Sequence, residues 1–172
     1  AQSCDIYYWI VGRDHLGVER IVHYSKEYGF GSLTGIDLPG EIPGFIPTPQ
    51  WKDRRFHEKW LGGDTMNMSI GQGFTLVTPL QMANMVAMTV NDGVIYQPHL
   101  LKEIRDPVSG AVVRSVRPTV LQKSDLAPEI FDTVRDHMRA VITEGTARFP
   151  LNIKAVEIAG KTGTAEVGLA DR

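Results

Sequence analysis

The sequence predicts an α+β chain, and three local signals carry that prediction. Thr78-Pro79-Leu80-Gln81 is a strong helix start, residues 128–143 have a helical apolar face, and two short strands flank the turn Asp106-Pro107-Val108-Ser109-Gly110. Along the chain, residues 6–11 form an apolar, aromatic-rich run that reads as helical. Val18, Ile21, Val22 and Tyr28 then recur at roughly helical spacing, with Gly29 placed to stop that helix. From Gly29 to Gly63 glycine, proline and aromatic residues dominate, which predicts a long irregular excursion; ordered loops of this kind often carry function.

Thr78 can cap the next helix, Pro79 suits its first position, and Gln81 sits where a capping box needs its reciprocal acceptor. Met82, Met85, Val86, Thr89 and Val90 are expected to form its buried stripe, as core packing and not as a cofactor site. Gly93 ends it. Residues 100–105 and 111–117 read as the two strands of a hairpin. In the helix over 128–143, Ile130, Phe131, Val134, Met138, Val141 and Ile142 share one face. Residues 155–158 read as a strand that enters Ala159-Gly160-Lys161-Thr162-Gly163-Thr164. There is no internal repeat and no low-complexity tract.

With 172 residues, 42% of them hydrophobic and 22% charged, the chain has the size of one globular domain with a real core. It carries 18 basic and 20 acidic residues, a net charge of -2, with no run of either sign. A protein that tracks phosphates needs a basic stripe, so nucleic acid is not expected as a partner. The densest basic cluster, Lys52-Asp53-Arg54-Arg55, reads as a solvated loop or helix face. Cys4 stands alone and excludes an internal disulfide framework, which suits cytoplasm or an exported protein without disulfides. No window approaches the roughly 18 apolar residues of a membrane span, and no signal peptide opens the chain. Because Ala1-Gln2-Ser3-Cys4-Asp5 lacks an initiator Met, the chain is expected to start inside a longer protein.

Two short clusters could carry chemistry. Lys161-Thr162-Gly163-Thr164 sets a cation and two hydroxyls beside a glycine, over which a substrate backbone can approach closely. Lys161 offers positive charge, and Thr162 and Thr164 can donate to a carboxylate. Alone, such a triplet fits an ordinary strand or turn as well. Ser3-Cys4-Asp5 places a hydroxyl and a carboxylate two residues apart, where Ser3 could relay a proton and Asp5 could fix a lysine or an amide. By itself that signal is weaker, since Thr65-Met66-Asn67 and Thr89-Val90-Asn91 have nearly the same form. His15 and His23 are eight residues apart, away from the i, i+4 spacing of a helical zinc pair, and read as surface or partly buried side chains.

Taken together, the clusters resemble the second and third motifs of penicillin-binding proteins and serine β-lactamases. Ser3-Cys4-Asp5 matches the second motif with Asp in place of the commoner Asn, and Lys161-Thr162-Gly163 matches the third. The text between them is also similar to transpeptidase landmarks: residues 34–41, Ile70-Gly71-Gln72-Gly73, Thr78-Pro79-Leu80-Gln81-Met82-Ala83, Asn91-Asp92-Gly93, Gly145-Thr146-Ala147 and residues 159–166. The resemblance covers nearly the whole chain in the family's order. The S-x-D variant, with Trp51-Lys52 and Gly63-Asp64-Thr65, is similar to class B enzymes of the elongation type, the penicillin-binding protein 2 subgroup.

The departure from the family lies in the first motif, S-x-x-K, which holds the nucleophilic serine. None of the serines at 3, 25, 32, 69, 109, 115 and 124 has a lysine three positions later. The chain is therefore expected to be an internal piece, residues 1–172 of a partial transpeptidase domain, inactive alone. The resemblance implies a sandwich-like penicillin-binding protein fold with an antiparallel sheet flanked by helices, truncated at both ends. For the parent it implies a serine D,D-transpeptidase that cross-links peptidoglycan stem peptides ending in D-Ala-D-Ala, without a cofactor, and is inhibited by β-lactams. It implies a membrane-anchored location on the periplasmic face of the inner membrane, with the cell-elongation machinery.

By the same resemblance, Ser3 passes protons and Asp5 holds the ligand amide or the first-motif lysine. Lys161 supplies positive potential, Thr162 and Thr164 bind the substrate carboxylate, Gly163 leaves room for it, and the Thr164 N–H is an oxyanion donor. Cys4 is expected to be a small packed hydrophobe and not a metal ligand. Rival readings are a D,D-carboxypeptidase or β-lactamase, in which water takes the acyl group, and a non-catalytic β-lactam sensor. The expected third-motif strand, left without its neighbour, would expose an edge through which copies could associate.

Overall fold

Thr78-Pro79-Leu80-Gln81 builds the helix start that its residues dictate. In the computed structural model, which describes residues 2–165, the Thr78 hydroxyl accepts from the Gln81 N–H at 3.1 Å and the Gln81 carbonyl oxygen from the Thr78 N–H at 2.9 Å. Two of the N–H groups a helix leaves orphaned are thereby satisfied. The helices in chain order are α1 (Asp5–Ile10), α2 (Gly17–Glu27), α3 (Pro49–Phe56), α4 (Gly62–Ser69), α5 (Pro79–Val90), α6 (Pro128–Thr143) and the short α7 (Arg148–Leu151). A π-helical segment, Val11–Leu16, joins α1 to α2. The strands are β1 (Val94–Tyr96), β2 (Glu103–Arg105), β3 (Val112–Ser115) and β4 (Val120–Lys123). The mixture is the α+β class that the sequence predicts.

The chain divides into two compact units. The first comprises Ala1–His23, Pro47–Thr75 and Ala127–Arg172. Here the π-helical segment lies against α4 because Gly12 has no side chain: a Cβ on it would sit 2.4 Å from the Ser69 Cβ. Lys52 on α3 reaches Asp64 on α4 at 2.8 Å, and the same Asp64 oxygen accepts the Leu61 N–H at 2.7 Å. The rings of Trp51, Phe56 and Phe74 gather with centroids 5.1–5.5 Å apart. On α6, Phe131, Val141 and Ile142 are buried, and Ile158 packs on the cluster that Val141 and Ile142 form with Ala147.

The second unit comprises Tyr24–Ile46 and Leu76–Leu126. Gly29, at φ +83°, stops α2 in the left-handed region that glycine favours. Strand β1 pairs antiparallel with β4, Val94 opposite Lys123, and β2 pairs with β3, Glu103 opposite Ser115. The Asp106 carboxylate ties the β2–β3 turn by accepting from the Val108 and Ser109 N–H groups at 3.1 and 2.7 Å. Helix α5 packs on β1, with Met88 and Ile95 buried. Gln81, 1% exposed, sends its amide N–H groups to the carbonyls of Ser32 and Pro43. Those two bonds and the Phe45–Leu76 bridge give the excursion after Gly29 a defined path.

Four expectations need correction. The stretch from Gly29 to Gly63 is not wholly irregular, because α3 lies inside it and α4 begins at Gly62. Lys52 is not solvated, since its ion pair with Asp64 draws it inward to 5% exposure. On α5 the face turned inward holds Gln81, Met88 and Thr89, while Met82, Val86 and Val90 are exposed. Residues 155–165 join no strand. Their backbone is held by α6, through the Gly160 N–H to the Met138 carbonyl and Arg139 to the Ile158 carbonyl. With that strand goes the expected open edge for self-association among the described residues.

Candidate active site

Ser3 and Cys4 precede α1 in extended backbone, with Cys4 at the cap position (φ -111°, ψ 94°) and Asp5 opening the helix. An acid in the first turn is favourable against the helix dipole. Ser3, Cys4 and Asp5 are all exposed, so Cys4, a free thiol, is not the packed hydrophobe expected of it, because the extended backbone before α1 leaves it in solvent. Within the same unit, α6 delivers the other half of the site. The Ala147 N–H returns to the Val141 carbonyl at 3.2 Å, which shapes the Gly145-Thr146 turn after the helix. Arg139, at 2.7 Å from the Ile158 carbonyl, and the Gly160 N–H, at 3.1 Å from the Met138 carbonyl, fix the approach to Lys161.

These two halves meet at one atom. The Lys161 Nζ lies 3.3 Å from the Ser3 hydroxyl oxygen, although the residues are 158 positions apart. The ammonium has three protons and no lone pair. Its other contacts are to the Thr162 carbonyl at 2.7 Å and to the Thr162 hydroxyl at 3.4 Å. Thr162 is half-buried, while Lys161, Gly163 and Thr164 are exposed. A Cβ on Gly163 would meet nothing within 4 Å, so the motif borders open space on that side. Asp5 stays outside this set, since the contacts of Lys161 run to Ser3 and Thr162.

Two further side chains reach the third cluster. The Thr146 hydroxyl stands 3.1 Å from that of Thr162, and the Gln72 amide approaches the Thr164 carbonyl at 3.5 Å. Sequence reasoning placed both inside landmarks, Gly145-Thr146-Ala147 and Gly71-Gln72-Gly73, but gave neither a role at the site. A polar side chain fixed between glycines was the available signal for Gln72, because Gly71 and Gly73 both adopt positive φ. Among the described residues no group of three or more His, Cys, Asp or Glu side chains is arranged to hold a metal ion.

Lys161 thus joins Ser3 to the Thr162 end of the third cluster within one unit. A family model described as the penicillin binding protein transpeptidase domain matches residues 1–171. The chain belongs to that family. Its fold is accordingly the mixed helix-and-sheet fold of the penicillin-binding transpeptidases. It is 38% identical over 167 residues to the peptidoglycan D,D-transpeptidase MrdA of Acinetobacter baumannii, covering 96% of this chain and 24% of that protein.

Solved penicillin-binding proteins superpose well. Pseudomonas aeruginosa PBP2 in complex with WCK 5153 has a TM-score of 0.75 at 33% identity, covering 95% of this chain and 36% of that one. PBP2 of Helicobacter pylori, in its complex with MreC, has a TM-score of 0.75 at 28% identity, covering 95% and 29%. The chain thus spans about a quarter of the length of the curated transpeptidases it matches.

Proposed function

We propose that residues 1–172 are the part of a peptidoglycan D,D-transpeptidase domain that carries its second and third motifs. The observation that supports this reading is the 3.3 Å contact between Lys161 and Ser3 in a chain of this family. In the proposed cycle a serine outside this sequence attacks the carbonyl of a D-Ala-D-Ala stem peptide and gives up its hydroxyl proton to the relay that runs through Ser3. The peptide C–N bond breaks, and the leaving D-alanine amine takes up a proton through the Ser3 hydroxyl. The amine of a second stem peptide then attacks the acyl-serine ester and gives up a proton by the same route, which restores the serine.

Lys161 keeps Ser3 oriented and lowers the cost of transient negative charge on it. Thr162 and Thr164 bind the substrate carboxylate, and the open face at Gly163 admits the peptide backbone. The Thr164 N–H contributes to the oxyanion hole, and Asp5 holds the amide side of the ligand. β-Lactams acylate the same serine and so inhibit the enzyme. The transpeptidase works on the periplasmic face of the inner membrane among elongation proteins, held there by a segment outside this sequence. The complex of H. pylori PBP2 with MreC supports the choice of partners, and no helix among the described residues is long and apolar enough to cross a membrane.

Labelling with a fluorescent penicillin tests the proposal. The full-length protein is expected to form an adduct that survives a denaturing gel, and Ser3→Ala and Lys161→Ala should each slow it by about 100-fold or more, the usual size of a proton-transfer contribution. The 172-residue chain, in which no serine has a lysine three residues on, should give no band. A band from the chain alone, lost when one of its own serines is replaced, would overturn the reading, as would undiminished labelling of Lys161→Ala.

A further inference from the structure

A threonine hydroxyl has one proton to give and two lone pairs to accept with. The Thr162 hydroxyl has two neighbours: the Lys161 ammonium at 3.4 Å, which can only donate, and the Thr146 hydroxyl at 3.1 Å, which can do either. The direction of the Thr146–Thr162 bond decides what is left for a ligand. If Thr162 donates to Thr146, its proton is spent inside the protein, and a carboxylate arriving at the motif meets a lone pair. If Thr146 donates, both lone pairs of Thr162 are occupied and its proton must point elsewhere, to whatever binds there. A carboxylate needs donors, so its presence selects the second arrangement.

We propose that Thr146 is a positioning and specificity-determining residue. Its hydroxyl donates to Thr162, and thereby turns the Thr162 proton outward as a donor to a ligand carboxylate. The inference rests on the transpeptidase reading and names a residue that sets its preference for acidic ligands. Thr146 is placed for this task by the end of α6: the Ala147 N–H closes on Val141, and Gly145 accepts the Arg148 N–H at 3.2 Å. Being exposed, Thr146 can lose its hydroxyl without leaving a buried polar group unpaired. That separates a role in ligand polarity from a role in folding.

The test compares acylation of the full-length protein by benzylpenicillin and by its methyl ester, which lacks the carboxylate, for wild type, Thr146→Val and Thr146→Ser. Loss of one hydrogen bond to a charged group corresponds to about a 10-fold slower acylation or more. Thr146→Val should therefore slow the acid by about that factor, leave the ester within about twofold, and leave the melting temperature unchanged, while Thr146→Ser restores the acid rate. Equal slowing of acid and ester by Thr146→Val would overturn the proposal, as would no slowing of either, or a Thr146→Ser variant that behaves like Thr146→Val. The wild type serves as the separate control on the underlying reading: if it is not acylated at all, the transpeptidase assignment fails first. Should Thr146→Val not fold, the Thr146→Ser and Thr146→Ala acid-to-ester ratios decide instead, expected at wild-type and reduced values respectively.

Discussion

Replacing Gln81 by methionine should cost far more than an ordinary cap mutation, because this one side chain serves two tasks. Its carbonyl oxygen accepts the Thr78 N–H at 2.9 Å and completes the capping box of α5. Its amide nitrogen donates to the Ser32 carbonyl at 2.8 Å and to the Pro43 carbonyl at 2.7 Å. Methionine matches the length of glutamine and fills the space, so no large cavity forms. What is lost is polar pairing at a side chain 1% exposed. A buried polar group left without a partner costs about 1–3 kcal/mol. Two carbonyls and one N–H lose a partner, but Ser32 is exposed and its carbonyl can regain water, so the lower part of the range applies. The expected loss is about 3–4 kcal/mol.

In urea, with an m-value of about 2 kcal/mol/M, this moves the unfolding midpoint of the chain down by about 1.5–2 M, followed by far-ultraviolet circular dichroism. Thr78→Ala removes only the other half of the capping box and should cost about 1 kcal/mol. The double variant should fall short of the sum of the two, because the residues share reciprocal bonds. If Gln81→Met costs no more than Thr78→Ala, the bonds to Ser32 and Pro43 contribute nothing, and the account of how the excursion is held is wrong.

Two further perturbations probe each unit separately. The Leu100 and Leu101 N–H groups, at 2.7 and 3.1 Å, hold the Asp37 carboxyl below its ordinary value of 3.8. The stability it contributes is present above that value and is lost as the pH falls through the lower folded one. An NMR titration should therefore place the Asp37 midpoint under 3.8, and Asp37→Asn should flatten that part of the acid limb; a midpoint at or above the ordinary value refutes the contact. In the first unit, Gly12→Ala brings a methyl to 2.4 Å from the Ser69 Cβ. The resulting overpacking, about 1–3 kcal/mol, should exceed the gain of about 1 kcal/mol from better helix propensity. A lowered melting temperature, partly recovered by adding Ser69→Gly, is the expected result, and a neutral Gly12→Ala would show that the two segments are free to move apart.

The sequence by itself determined those features whose causes lie within a few residues. Thr78, Pro79 and Gln81 specify the start of α5 by chemistry that acts across one turn, and the expected helix over 128–143 is observed as Pro128–Thr143. Asp106 ties a turn two and three residues ahead of it, so the β2–β3 hairpin was equally readable. The start of α3 was readable too, since Thr48 accepts the Trp51 N–H and Pro49 follows it. That Thr-Pro signal was masked by the glycines and prolines around it. The site residues Ser3 and Lys161 were legible as motif members, because hydroxyl and ammonium chemistry belongs to the residue type.

Tertiary structure decided the rest. Which face of α5 turns inward depends on Ser32, Pro43 and β1, so Gln81 is buried and Met82 exposed, against the hydrophobic pattern. Lys52 is drawn in by Asp64, twelve residues away, which no local rule foresees. Residues 155–165 had the composition of a strand, yet a strand exists only where a neighbour supplies the ladder. Here α6 supplies the partners instead, through Met138 and Arg139. The contact that gives the chain its candidate chemistry joins residues 158 positions apart. Closing a loop that long carries an entropy cost which no short-range preference offsets. Both ends of the chain belong to one compact unit, and there Lys161 meets Ser3.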